Sequence, residues 1–91
     1  MRDIDLWELN EAFAWQAIYW QMQLGVPQER LNVNGSAIAL GYAFGMTGAR
    51  LVGHILMEGR RRKLAGKSLS WGIVATCTAE GACAAALLQF L

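Results

Sequence analysis

Two thiols, Cys77 and Cys83, are the groups of this sequence best suited to nucleophilic, proton-transfer or redox chemistry, and Thr78-Ala79-Glu80-Gly81-Ala82 separates them. A thiol attacks or takes a proton only as thiolate, so its surroundings decide what it does. No third Cys and no His lies beside them, which gives neither a zinc set nor a disulfide framework. Reduced, inert core cysteines are the plain reading, against a general base with a redox partner. His54 has no ligand at metal-binding spacing, and no metal is expected. Arg60-Arg61-Arg62-Lys63 can meet a phosphate, but cations ending a helix are stabilised by its dipole and usually solvated. Gly41, Gly45 and Gly48, with Gly35 before them, mark a loop in which backbone takes φ > 0 or comes close to something, so this loop is a candidate site.

Several elements must position these groups. From Asp5 to Leu24 apolar residues recur at Leu6, Leu9, Phe13, Ala17, Trp20 and Leu24, the period of a helix that Gly25-Val26-Pro27 ends. Trp7, Ala14, Ile18 and Met22 make a second apolar line, with Trp15 and Tyr19 filling the gap, so the helix is apolar nearly all round and belongs in a core or interface. Asn32 to Leu40 reads as a short strand entering the glycine loop. Thr47 precedes a second helix over about Gly48 to Lys63, which Gly66 closes. Leu69 to Cys77 and Cys83 to Phe90 are β-compatible runs joined by a turn, although Ala84, Ala85 and Ala86 weaken the second. The expected architecture is α/β, in the order α-β-α-β-β, with two helices on a small mixed sheet that ends in an antiparallel hairpin, all in one partial domain over residues 1–91.

Composition narrows the function. With 91 residues, 55% hydrophobic and 16% charged, the chain is too apolar for disorder and too short for a large enzyme. A formal charge of +1 lacks the footprint of a nucleic-acid binder. The start, Met1-Arg2-Asp3-Ile4-Asp5, has acids where a secretory leader is apolar, so the default setting is cytoplasmic or an organelle matrix, and the Asn34-Gly35-Ser36 sequon is discounted. The run from Leu69 to Leu91 approaches membrane-spanning length, but Glu80-Gly81 interrupts it, and a buried hairpin accounts for it better than a span.

Four collinear segments carry a resemblance. Glu8-Leu9-Asn10-Glu11-Ala12-Phe13-Ala14 is similar to the thiolase segment whose Asn holds a catalytic water, and Asn32 to Gly41 resembles the strand and loop that follow it. Gly45-Met46-Thr47-Gly48-Ala49-Arg50 matches the end of the family's Gly-His-Pro-x-Gly-x-Ser/Thr-Gly motif, and Cys77 falls where the family has Cys-x-Gly-Gly-Gly. The resemblance, to the C-terminal domain portion, covers essentially the whole chain. It implies acyl transfer with coenzyme A as substrate and no permanently bound cofactor. Asn10, Tyr42 and Cys77 would be the catalytic positions, Tyr42 at best as a hydrogen-bond donor and Cys77 by exchanging the substrate α-proton, while Ala79 and Gly81 would occupy the oxyanion segment. The implied partners are a further copy of the chain or an N-terminal thiolase half, with an acyl-CoA as ligand.

The departures cut against activity in the isolated chain. Tyr42 stands where the family has His, and a phenol with a pKa of about 10 is no ready base at neutral pH, though it donates a hydrogen bond. Ala43 replaces the motif's Pro, and Ala79 and Glu80 replace two glycines. Glu80 brings a carboxylate where negative charge should be stabilised, and it is expected to raise the Cys77 thiol pKa. The nucleophilic Cys of the family has no counterpart in the sequence. A non-catalytic interaction or oligomerisation module is the alternative.

Overall fold

The computed structural model describes residues 2–91. In chain order the elements are β1 (Leu6–Leu9), α1 (Ala14–Leu24), a 3-10 turn (Gln28–Arg30), α2 (Ala37–Leu40), α3 (Thr47–Leu64), β2 (Trp71–Cys77) and β3 (Cys83–Gln89). The three strands form one mixed sheet in the order β1-β2-β3, with β1 parallel and β3 antiparallel to β2. The α/β class, the mixed sheet and the closing hairpin are as expected from the sequence. The element order is not.

Its first correction falls at the N-terminal end. The segment read as the start of one long helix is a strand, and the helix begins only at Ala14. All four residues of β1 are buried, because α3 covers one side of the sheet and the α1 region the other. A strand buried on both faces loses its period-2 signature, so Leu6 and Leu9 fell on a helical spacing by coincidence. The second correction is at Asn32–Leu40, where there is no strand. Leu31 makes one parallel bridge to Trp7, Asn32 turns at φ 46°, and Ala37–Leu40 is a helical turn.

Asn32 explains why the chain needs no strand there. Its side-chain amide donates to the Leu9 carbonyl at 2.9 Å, and its Oδ1 accepts from the Leu9 N–H at 2.8 Å. One side chain thereby does the pairing that a neighbouring strand would do for the outer edge of β1. Asp5 performs a similar task at the other end, where its carboxylate accepts from the Ser70 and Trp71 N–H groups at 2.7 and 3.0 Å.

The pleat divides the core in two. Leu6 and Val74 face α3 and pack with Leu51, Ile55 and Phe90. Trp7 and Leu9 face the opposite way, against Val26 and Leu31, with Trp20 and Leu24 of α1 resting on them. Thus both long helices meet the sheet, one on each side. The expectation that α1 is buried all round fails within this chain, since none of its residues is buried and Trp15 and Met22 are 65% and 73% exposed. Strand β3 is likewise open, with Leu87 exposed. No described helix is long and apolar enough to cross a membrane.

Candidate functional site at the carboxyl ends of β1 and β2

Because β1 and β2 run parallel, their carboxyl ends share one edge, and it is there that α/β folds characteristically hold ligands. Leu9 lies opposite Ala75, so Asn10 follows β1 level with the last residues of β2, and its N–H donates to the Ala75 carbonyl at 2.9 Å. Cys77 is the final residue of β2 and Cys83 the first of β3. The turn between them rests on Gly81, at φ 85°, a backbone that favours glycine.

The Tyr42 hydroxyl donates to the Cys77 carbonyl at 2.9 Å and ties the glycine loop to the end of β2. Gly41 and Gly45 have φ of 95° and 77°, as a tight loop requires. Gly48 differs in taking no positive φ, although it lines the same hollow as Gly45. It is the second residue of α3, and its packing leaves open space around it. Thr47 is also inside the helix rather than ahead of it, and its hydroxyl donates back to the Ala43 carbonyl at 3.0 Å instead of capping.

Around Tyr42 and Cys77 lie two adjoining hollows. One, of about 390 Å3, is lined by loop residues 42–45, by Thr47 and Gly48 of α3, and by Cys77, Ala79 and Glu80, and the other, of about 520 Å3, adds Phe13, Trp15 and Gln16. Tyr42, Cys77 and Ala79 border both. Asn10 borders neither. Its side chain is buried on the α3 side of the sheet, where Oδ1 accepts from Arg50 at 3.4 Å and Nδ2 has no partner in the structure. The structure therefore brings Tyr42, Cys77 and Ala79 together, leaves Gly81 outside both hollows and sets Asn10 behind them.

Neither cysteine is a buried core residue, contrary to the plain reading of the sequence. Cys83 is exposed and Cys77 half-buried. The Cys77 thiol pKa is raised, as expected, but for another reason. The neighbouring Cys83 thiol is the main cause, followed by burial, and Glu80 contributes nothing to it. The Glu80 carboxyl is fully exposed and shifted down, chiefly by a hydrogen bond from Thr78.

Sequence reasoning missed the polar cluster behind Asn10. Glu8 is 2% exposed and shares the pleat parity of Asn10, so its carboxylate points at α3, with Oε2 3.9 Å from His54 Nδ1. Burial pushes its carboxyl up to about 7, against the lowering effect of the Arg50 charge. Arg50 also reaches the buried Ser36 hydroxyl at 3.4 Å. A polar residue flanked by apolar ones at Leu6-Trp7-Glu8-Leu9 was the available signal, concealed by the helix assignment. Farther along α3, buried Glu58 accepts from Arg61 and Arg62, so the basic run does more than face solvent. No cluster of metal-ligating side chains occurs among the described residues, and His54 faces Glu8 alone.

The profile described as "Thiolase, C-terminal domain" matches residues 1–90. The peroxisomal 3-ketoacyl-CoA thiolase 1 of Arabidopsis thaliana is 46% identical over 89 residues, which are 98% of this chain and 19% of that protein. The peroxisomal 3-ketoacyl-CoA thiolase B of Mus musculus is 46% identical over 90 residues, 99% of this chain and 20% of that protein. The crystal structure of the Bacillus anthracis acetyl-CoA acetyltransferase superposes with a TM-score of 0.88 at 37% identity, over 100% of this chain and 22% of that one. Human mitochondrial 3-ketoacyl-CoA thiolase in complex with CoA gives 0.86 at 36%, over 97% of this chain and 21% of that one. The chain thus spans about a fifth of the length of these relatives.

Proposed function

This chain belongs to the thiolase family, and we propose that it supplies the C-terminal part of an acyl-CoA acyltransferase site. The observation that carries the reading is the convergence of Cys77, Ala79, Glu80 and residues 42–45 on one hollow at the carboxyl ends of β1 and β2, held by the Tyr42 to Cys77 hydrogen bond. In an assembled site the Cys77 thiolate would take the α-proton of a bound acyl thioester and return it in the reverse direction. Asn10, which lines neither hollow, would hold a water behind them through the side-chain nitrogen that has no protein partner. Tyr42, whose hydroxyl donates to the Cys77 carbonyl, would hold the end of β2 in place, and the Ala79 N–H would face the developing oxyanion, the Gly81 N–H being given to the Thr78 carbonyl.

Coenzyme A as the substrate carrier is supported by the CoA-bound human structure. The nucleophile is supplied by an N-terminal thiolase half, since a further copy of this chain has no counterpart of it, and the exposed apolar residues of α1 and β3 are the surfaces offered to that half or to a further copy. The names of the peroxisomal relatives support a matrix setting. Alone, the chain is catalytically silent, because Tyr42 gives no ready base and Glu80 brings negative charge to the turn. A second reading, a non-catalytic oligomerisation module, is favoured by those same substitutions together with the open α1 face.

The test is thiolysis of acetoacetyl-CoA by free CoA. It is run with the chain alone, with an N-terminal thiolase half, and with that half after Tyr42→His, Ala79→Gly and Glu80→Gly are combined. Turnover in the mixture, raised by roughly 10²-fold or more on reversion, is the expected result. Turnover by the chain alone would overturn the silence. An oligomer that forms with the N-terminal half and stays inactive even after reversion would favour the second reading.

A further inference from the structure

Apart from the acyl-transfer reading, the hairpin sets two thiols face to face. Cys77 and Cys83 are opposite each other in the register of β2 and β3, so both side chains stand on one face of the sheet. The ladder also says which kind of pair they form. The Thr78 N–H donates to the Ala82 carbonyl at 2.7 Å, and the Phe90 N–H donates to the Ser70 carbonyl at 2.9 Å, which places hydrogen-bonded pairs at even positions of β2. Cys77 and Cys83 therefore form a non-hydrogen-bonded pair, in which Cα atoms approach to about 4.5 Å. A disulfide spans Cα separations of about 4.4 to 6.8 Å. Both cysteines are free, Cys83 is open to solvent, and the two thiols are close enough for Cys83 to perturb Cys77.

We propose that Cys77 and Cys83 are a reversible cross-strand dithiol, closed to a disulfide by exchange with a small oxidised thiol such as glutathione disulfide. The exposed Cys83 thiolate attacks one sulfur of the oxidant, its S–S bond breaks, and one thiolate leaves. The Cys77 thiolate then attacks the Cys83 sulfur of the mixed disulfide and expels the second thiolate. Two protein thiols lose two protons and two electrons, and one small disulfide becomes two small thiols. The dithiol rests on hairpin geometry. Its consequence, loss of the Cys77 thiol from the acyl-transfer site on oxidation, rests on the function proposed above.

The 91-residue chain is equilibrated at graded ratios of oxidised to reduced glutathione, both folded and in denaturing guanidinium. Free thiols are then trapped, and the peptides are mapped by mass spectrometry. The expected product is one intrachain Cys77–Cys83 bridge, two hydrogens lighter and reversed by dithiothreitol. Its equilibrium constant against glutathione should be at least about tenfold larger in the folded chain, because the strands hold the sulfurs at high effective concentration. The Cys83→Ser variant should carry only a glutathione adduct at Cys77 or a free thiol. Equal constants in the two states, bridges between chains, or separate adducts on both cysteines would overturn the proposal. No activity is read, so this outcome is independent of the thiolysis result.

Discussion

Glu8→Gln is the substitution that most directly tests how this fold manages a buried charge. The Glu8 carboxyl is raised to about 7 from an ordinary 4.5, first by burial and against the pull of Arg50. Because the folded state binds this proton more tightly than the unfolded chain, the stabilisation is complete below pH 4.5 and drains away as pH climbs through about 7. The gap corresponds to about 3 kcal/mol at 1.36 kcal/mol per decade of proton affinity. Glutamine keeps the shape of the protonated acid and cannot ionise. Urea unfolding from pH 4 to pH 9 should show the native chain losing about 3 kcal/mol over this interval, while the variant stays nearly level. Parallel pH curves for the two proteins would refute the reasoning, since ionised Glu8 would then cost the fold nothing.

Three further outcomes are expected. Glu58→Gln should act on the opposite limb: hydrogen bonds from Arg61 first, and then from Arg62 and Asn34, hold the Glu58 carboxyl down at about 2, so its stabilisation is present above pH 4.5 and lost as pH falls toward 2. The variant should cost about 1–2 kcal/mol at neutral pH, discounted for the exposure of Arg61, and nothing in strong acid, as read by urea midpoints. Asn32→Ala removes both bonds to Leu9 and leaves at φ 46° a residue that tolerates left-handed backbone less well than asparagine, so it should destabilise by about 2–4 kcal/mol and speed hydrogen exchange at the Leu9 amide. Gly72→Ala would set a β-carbon 2.7 Å from Ile55 Cδ1 and 2.9 Å from Phe90 Cζ between the sheet and α3, which should lower stability by about 1–3 kcal/mol in thermal unfolding.

The sequence by itself determined the elements whose signals are local. Helix α3 shows its period and its closing glycine, and it runs over Thr47–Leu64 as expected to within a residue at each end. The hairpin is written in two β-compatible runs around a glycine turn, and the family segments are contiguous motifs that a single strand or loop displays. Only the tertiary structure decided the rest. Whether Leu6-Trp7-Glu8-Leu9 becomes strand or helix depends on layers packed against both its faces, and a run buried on both sides has no period of its own to read. Asn32 standing in for a strand required a residue 23 positions from Leu9 to arrive beside it. The environment of Glu8 and the facing of Cys77 by Cys83 are equally products of register, since charge and reactivity follow from which side chains share a face, and pleat parity fixes that only once the strands have paired.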